Sequence, residues 1–149
     1  MILSTKGRYG LKMIFQLALR YGNGTMSLKD IANNLDLSDT YLEQLMSQLK
    51  KAGLVKSIRG AQGGYELSRE PSLITVGEII RTLEGPLAPS ECVLGEESEC
   101  SKADCCATRL IWEKIMDAIN NVIDGITLKD MLSDYDKLNE KEKGEDNNG

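Results

Sequence analysis

Apolar residues fall at helical spacing through the first third of the chain, then briefly alternate, then return to helical spacing. Leu11, Ile14, Leu17, Ala18 and Tyr21 form one stripe, behind Ser4 and Thr5, which can cap a helix reaching about Tyr21. The "GNG" of 22–24 ends it. A second helix starts at Ser27, with Asp30 in its first turn and Leu28, Ile31, Ala32 and Leu35 as its stripe. Ser38 caps a third, where Leu42, Leu45, Met46 and Leu49 repeat at i, i+3, i+4 and i+7 to about Ala52. Gly53 follows, where a helix end favours a left-handed residue. The segments "LVKSIRG" and "GYELSR" alternate, and "GAQGG" at 60–64 joins them as a hairpin tip.

A fourth helix begins at Thr75, which forms a capping box with Glu78 ahead of Val76, Ile79, Ile80 and Leu83. "EGPLAPS" breaks it, and a polar, cysteine-bearing loop follows. The last long helix spans about Asp104 to Asp124 and carries two apolar stripes side by side. Ile111, Ile115, Ala118 and Val122 form one, and Trp112, Met116, Ile119 and Ile123 the other. One helix covering one small core rarely needs both, so the pattern predicts packing on its own domain and on a partner copy. "ITLKDML" predicts a short helix capped by Thr127, and the charged segment from Ser133 reads as a disordered tail.

Three helices followed by a two-stranded hairpin predict a mainly α chain with a small β-hairpin wing: a winged helix-turn-helix plus a long C-terminal dimerisation helix. The expected division is 1–85 for the winged domain, 86–106 for the cysteine loop, 107–132 for the dimerisation helix and the short helix after it, and 133–149 for the tail.

Charge sharpens this picture. Residues 1–68 hold nine Lys and Arg against five acids, so they carry +4; the chain totals −5, leaving −9 for the rest. A basic N-terminal half on an acidic protein suggests a polyanion-binding face. With Leu42, Leu45, Met46 and Leu49 committed to a core, the opposite face of the third helix presents Thr40, Tyr41, Glu43, Gln44 and Ser47. Gln44 can pair with adenine and Glu43 can accept from cytosine, while Thr40 reaches a base or a phosphate. Tyr41 can stack on the backbone or touch a thymine methyl. Arg59 precedes the wing tip, where an Arg feels the negative potential of a minor groove, and Gly60 lets backbone approach closely.

The stretches "LSTKGRYGLKMIFQLA", "SLKDIANNLDLSDTYLEQLMSQLKKAGLVKSIRGAQGGYELSRE" and "ITVGEIIRTLEGP" resemble the IscR-type winged-helix transcription regulators, the group of IscR, NsrR, RirA and CymR. The resemblance spans about residues 1–132. It implies a homodimer with crossing long helices bound to a near-palindromic operator of double-stranded DNA. It also implies Thr40, Tyr41, Glu43 and Gln44 at base-reading positions, and Arg59 with Gly60 at the minor-groove position.

All four cysteines lie in "CVLGEESECSKADCC", residues 92–106. Thiolates are soft ligands suited to zinc, copper(I) and iron–sulfur clusters. The spacing Cys92-x7-Cys100-x5-Cys106, with Cys105 adjacent, lacks the tight Cys-x2-Cys knuckles usual for zinc. A disulfide pair and four idle free thiols are the other plain readings; the first is uncommon in a reducing compartment and the second is a liability. The resemblance implies that Cys92, Cys100 and Cys106 hold an iron–sulfur cluster of two or four irons. It leaves the fourth ligand open. The position of the family's ligating His is Arg109 here, and the chain has no His; another subtype uses an Asp at the position of Arg8. Cys105, Asp104, a loop Glu, water or a small thiol remain as alternatives.

No secretory signal and no apolar run near the ~18 residues of a membrane span is visible, so a cytoplasmic protein without membrane contact is expected. Without His, a phosphate loop or a nucleophile–base pair, an enzyme is not expected. The expected function is sequence-specific transcription regulation tied to cluster status, iron, redox or nitric oxide. Two rivals stand beside it: a cluster-free repressor of cysteine metabolism controlled by a protein partner, and a zinc or thiol redox protein that does not bind DNA.

Overall fold

A computed structural model describes residues 3–94 and 104–146, with side chains for 3–94 and 107–145. Cys100 lies outside the described residues. Among the described residues, six α-helices and one hairpin follow in the order α1 (Thr5–Arg20), α2 (Leu28–Leu35), α3 (Asp39–Lys51), β1 (Val55–Ile58), β2 (Gly64–Leu67), α4 (Val76–Glu84), α5 (Asp104–Asp124) and α6 (Leu128–Asp146). The chain is mainly helical with a two-stranded antiparallel wing, as its patterning predicts.

The helix starts are set locally. Ser4, Ser27 and Ser38 each accept a hydrogen bond from a backbone N–H of the first turn, which satisfies a donor the helix itself cannot. Thr75 and Glu78 form the reciprocal capping box of α4, and Thr127 and Asp130 make the equivalent exchange at the start of α6. Gly53 takes a positive φ of 77° just past α3, and the Leu54 N–H turns back to the Leu49 carbonyl at 3.1 Å. That bond fixes how β1 leaves α3, and so how the wing stands relative to the third helix.

The core is built from Met13, Ile14 and Leu17 of α1, Ile31 of α2, Leu42, Leu45, Met46 and Leu49 of α3, Leu54, Leu67 and Ile79, all almost completely buried. The stripe of α1 sits slightly off the expected one. Met13 is buried while Tyr21 is exposed, because Gly7 and Gly10 carry the stripe toward the helix N-terminus. A Cβ at Gly7 would meet Glu84 Oε1 at 2.6 Å, so a side chain there would displace this carboxylate.

The wing strands pair Val55 with Leu67, Lys56 with Glu66, Ser57 with Tyr65 and Ile58 with Gly64. Met26 and Tyr65 exchange backbone hydrogen bonds at 3.0 and 2.8 Å, adding the α1–α2 link to the free edge of β2. At the other end, the turn between α5 and α6 is sewn to α4: the Val76 N–H donates to Ile126 at 2.8 Å and the Leu128 N–H to Ile74 at 2.9 Å.

One expectation fails here. The helix after Thr127 does not stop near Leu132 but continues to Asp146, through most of the segment expected to be a disordered tail. Tyr135 and Leu138 extend the Leu128–Met131 face, and Tyr135 meets Phe15 of α1 edge-on at 5.5 Å between centroids. That anchor, together with helix-favouring Lys and Glu, holds the extra turns.

Candidate nucleic-acid interface and cysteine segment

α3 presents Thr40, Glu43, Gln44 and Ser47 on one exposed face, opposite its fully buried Leu42–Leu49 stripe. These are short or planar hydrogen-bonding groups at the start of the helix, the end that enters a groove in helix-turn-helix docking. Tyr41 does not share that face. It is half-buried, its ring meets Tyr9 of α1 edge-on at 6.2 Å, and its hydroxyl is within 3.3 Å of Thr5 Oγ1. The sequence pattern of α3 alone could not reveal this, because the partner ring lies on another helix.

Arg59 and Gly60 are exposed at the start of the wing tip, and Gly60 has a φ of 115° that only glycine adopts cheaply. The Gly63 N–H closes the tip onto the Gly60 carbonyl at 2.9 Å, and Thr25 Oγ1 donates to the Gln62 carbonyl at 2.8 Å. The tip is thus a shaped turn tied to the body, and Arg59 is delivered from a fixed base. A face of α1 to which the sequence pattern assigned no role, with Thr5, Tyr9 and Lys12 at successive turns, adjoins α3 through Tyr41. The available signal was charge: no acid precedes Asp30.

Cys92 sits in a single 3-10 turn, Glu91–Val93, half-buried, with the Ser90 hydroxyl 3.3 Å from its sulfur. This turn packs against α5, whose first turn contains Cys105 and Cys106. The fold therefore carries the segment of Cys92 back to the helix that bears two further thiols. A helix N-terminus favours thiolate. Soft donors from two adjoining elements at such a terminus fit a thiophilic metal or cluster. Among the described residues, no three or more His, Cys, Asp or Glu are gathered as a metal site. The sulfur of Cys106, like all of Cys100, lies outside them.

α5 divides as its two stripes predict. Ile111, Ile115, Ala118 and Val122 are exposed, whereas Trp112, Met116, Ile119 and Ile123 are half-buried. α5 packs on α4, with Arg81 donating to Asn120 Oδ1 at 3.0 Å and pairing with Asp124. Glu84, the last residue of α4, accepts from the Gly7 N–H at 2.9 Å and from the Ser4 hydroxyl. Burial pushes its carboxyl up, but these hydrogen bonds and the field of Lys6 hold it below its ordinary value. Asp130 is likewise held low, by the backbone and hydroxyl hydrogen bonds of Thr127.

Residues 3–134 match the Rrf2 family, described as an iron-dependent transcriptional regulator. The chain is 52% identical over 133 residues to the HTH-type transcriptional regulator CymR of Bacillus subtilis (strain 168), covering 89% of this chain and 91% of that protein. It superposes on the structure of CymR (YrzC), the global cysteine regulator of B. subtilis, with a TM-score of 0.76 at 50% identity, covering 89% of this chain and 97% of that one. It superposes on T. potens IscR with a TM-score of 0.76 at 48% identity, covering 93% and 90%. The fold is the winged helix of those regulators.

Proposed function

Since the chain belongs to the Rrf2 family of transcriptional regulators, we propose that it binds double-stranded DNA as a homodimer and holds an iron–sulfur cluster on the segment between α4 and α5. The observation that carries the DNA reading is the exposed start of α3. Thr40, Glu43 and Gln44 stand there free of the core, beside a wing that offers Arg59 and Gly60 from a braced turn. Gln44 reads adenine and Glu43 selects cytosine, because an unmatched carboxylate in a groove is repelled by phosphate. Arg59 reads minor-groove width. Tyr41, packed on Tyr9, sets the angle of α3 and offers its ring edge to the backbone.

Dimerisation uses the exposed stripe of α5. Ile111, Ile115 and Val122 are 51%, 38% and 61% exposed in the single chain, an apolar surface that a second copy of the same helix covers symmetrically. The distance between two α3 helices then depends on α5, which is bound to α4 by Arg81.

Cys92, Cys100 and Cys106 are the proposed thiolate donors, with the fourth position open to Cys105, Asp104 or an outside ligand. When bound, the cluster supplies a tie sensitive to iron, oxygen or nitric oxide between the loop and the root of α5. Without that tie the Cys92 turn keeps its packing against α5. The two states differ in operator affinity only by as much as one arrangement of α5 is favoured.

A second reading is favoured by one specific observation, the 52% identity to CymR of B. subtilis, a global cysteine regulator. On that reading the chain is a cluster-free repressor of cysteine metabolism, and α3 and the wing act as above. One experiment separates the two. The protein is purified without oxygen, its visible absorption, iron and sulfide are measured, and it is used to select duplexes from a random library. A coloured protein with stoichiometric iron that enriches a near-palindrome supports the cluster reading. A colourless, iron-free protein that enriches the same kind of duplex supports the second.

A further inference from the structure

The N-terminal half of the reading face of α3 has no cation of its own. Thr40, Glu43, Gln44 and Ser47 are neutral or acidic, Asp39 adds a second carboxylate in the first turn, and basic residues appear only at Lys50 and Lys51 in the last turn. A helix start of this kind brings negative charge toward the phosphates that flank a groove, and the neutralising cations must come from a neighbouring element.

α1 is that neighbour. Residues 1–29 contain Lys6, Arg8, Lys12, Arg20 and Lys29 and no acid. Tyr9 of α1 and Tyr41 of α3 meet edge-on at 6.2 Å, and the Tyr41 hydroxyl bonds Thr5 of α1, so the first two turns of α1 are locked to the first turn of α3. One helical turn beyond Tyr9, the Lys12 ammonium rests 5.5 Å from the Tyr9 ring centroid. Lys12 is exposed and takes part in no ion pair among the described residues. Lys6, by contrast, lies in the field of Glu84. The ring face limits where the Lys12 ammonium goes, which lowers the entropy cost of a phosphate contact.

We infer that Lys12, held over Tyr9 and joined through Tyr41 to the reading helix, is a phosphate-contacting residue of the DNA interface, so that this interface extends from α3 onto α1. The inference rests on the DNA-binding reading above. A phosphate contact carries no sequence information, so its signature differs from that of Gln44 or Arg59: it weakens all DNA alike and changes the salt dependence.

The test uses the full-length protein with two probes, a duplex selected by the wild type from a random library and a scrambled duplex of equal length. Affinity is measured over a range of salt for wild type, Lys12→Ala and Lys12→Arg. Lys12→Ala is expected to weaken both duplexes by similar factors, about eightfold near 0.1 M salt and little near 1 M, lowering the salt slope by about 0.9. Lys12→Arg, which keeps the charge, is expected to restore the wild-type slope. A Lys12→Ala protein with unchanged affinity and slope overturns the inference while leaving DNA binding intact; so does a loss confined to the selected duplex. A wild type that retains no duplex at all overturns the DNA-binding reading itself, and this inference with it.

Discussion

The Gly7 N–H donates to Glu84 Oε1 at 2.9 Å, tying the first turn of α1 to the last residue of α4. The bond spans the domain at a sensitive place, because Gly85 and the cysteine segment follow Glu84 directly, while α1 packs on α3. Gly7 has no side chain to interpose, and the carboxylate caps the N-terminal donors of α1 together with Ser4.

This relationship predicts an acid dependence. Burial raises the Glu84 carboxyl, yet the Ser4 and Gly7 hydrogen bonds outweigh it and leave it below its ordinary value of about 4.5. A group depressed in the folded state contributes its stability above the ordinary value and loses it as pH falls through the folded one. Glu84→Gln is therefore expected to be less stable than wild type at neutral pH by about 1 kcal/mol, allowing for solvent screening. The gap should close as pH falls below about 4.5. Urea midpoints across pH 3 to 7 (roughly the window set by linkage) measure it, and a gap independent of pH would show that shape rather than charge matters at this position.

Base readout predicts a specificity change, not a general weakening. Gln44→Ala is expected to cost about 1–3 kcal/mol on a selected duplex and little on a scrambled one. Arg59→Ala should behave alike, with its loss concentrated on duplexes with a narrow minor groove. Competition binding of both proteins against both duplexes reads the ratio. Equal losses on the two would assign these side chains to the phosphate backbone instead.

The stripe on α5 predicts assembly. Ile115→Glu and Val122→Glu change residues that are exposed in the single chain, so the fold of each subunit should survive. In the dimer the same carboxylates would be buried against their own copies, where like charges in an apolar interface are strongly unfavourable. Sedimentation should then report half the wild-type mass with unchanged helical circular dichroism. A dimer that tolerates both changes would place the interface elsewhere.

Which features were legible follows from how local their causes are. Ser4, Ser27, Ser38, Thr75 and Thr127 announce helix starts because a cap and its first-turn partner are only a few residues apart. The alternation of 54–67 announces the wing for the same reason. Tyr41 misled because it sits in a polar series, while what decides its orientation is Tyr9 on α1. The end of α6 misled because Tyr135 and Leu138 look too sparse for a stripe until Phe15 is known to lie beside them.

That last contact makes a prediction of its own. Ending the chain at Leu132 removes Tyr135 and uncovers Phe15, so the truncated protein should lose about 1–2 kcal/mol of stability. Tyr135→Ala in the full chain should reproduce most of this, and Tyr135→Phe, which keeps the ring, very little. Thermal unfolding separates the three. A truncation as stable as the full chain would make the extra turns of α6 a solubilising appendage with no share in the fold.

The cysteine segment gives the most discriminating comparison, because its four thiols are not equivalent in sequence. Cys105 and Cys106 are neighbours at the start of α5, and adjacent helical residues point about 100° apart, so one metal centre rarely takes both without strain. Cys92, in contrast, is brought to α5 by the packing of its own turn. Single replacements by Ala, purified without oxygen, are expected to abolish iron retention and the visible absorption for Cys92, Cys100 and Cys106 and to leave both largely intact for Cys105. If Cys105→Ala is colourless as well, Cys105 is the fourth ligand and the first turn of α5 must open to admit it. If all four variants and the wild type are colourless and bind the selected duplex equally well, the thiols have no part in holding a cluster, and the cluster-free regulator is the correct reading of this chain.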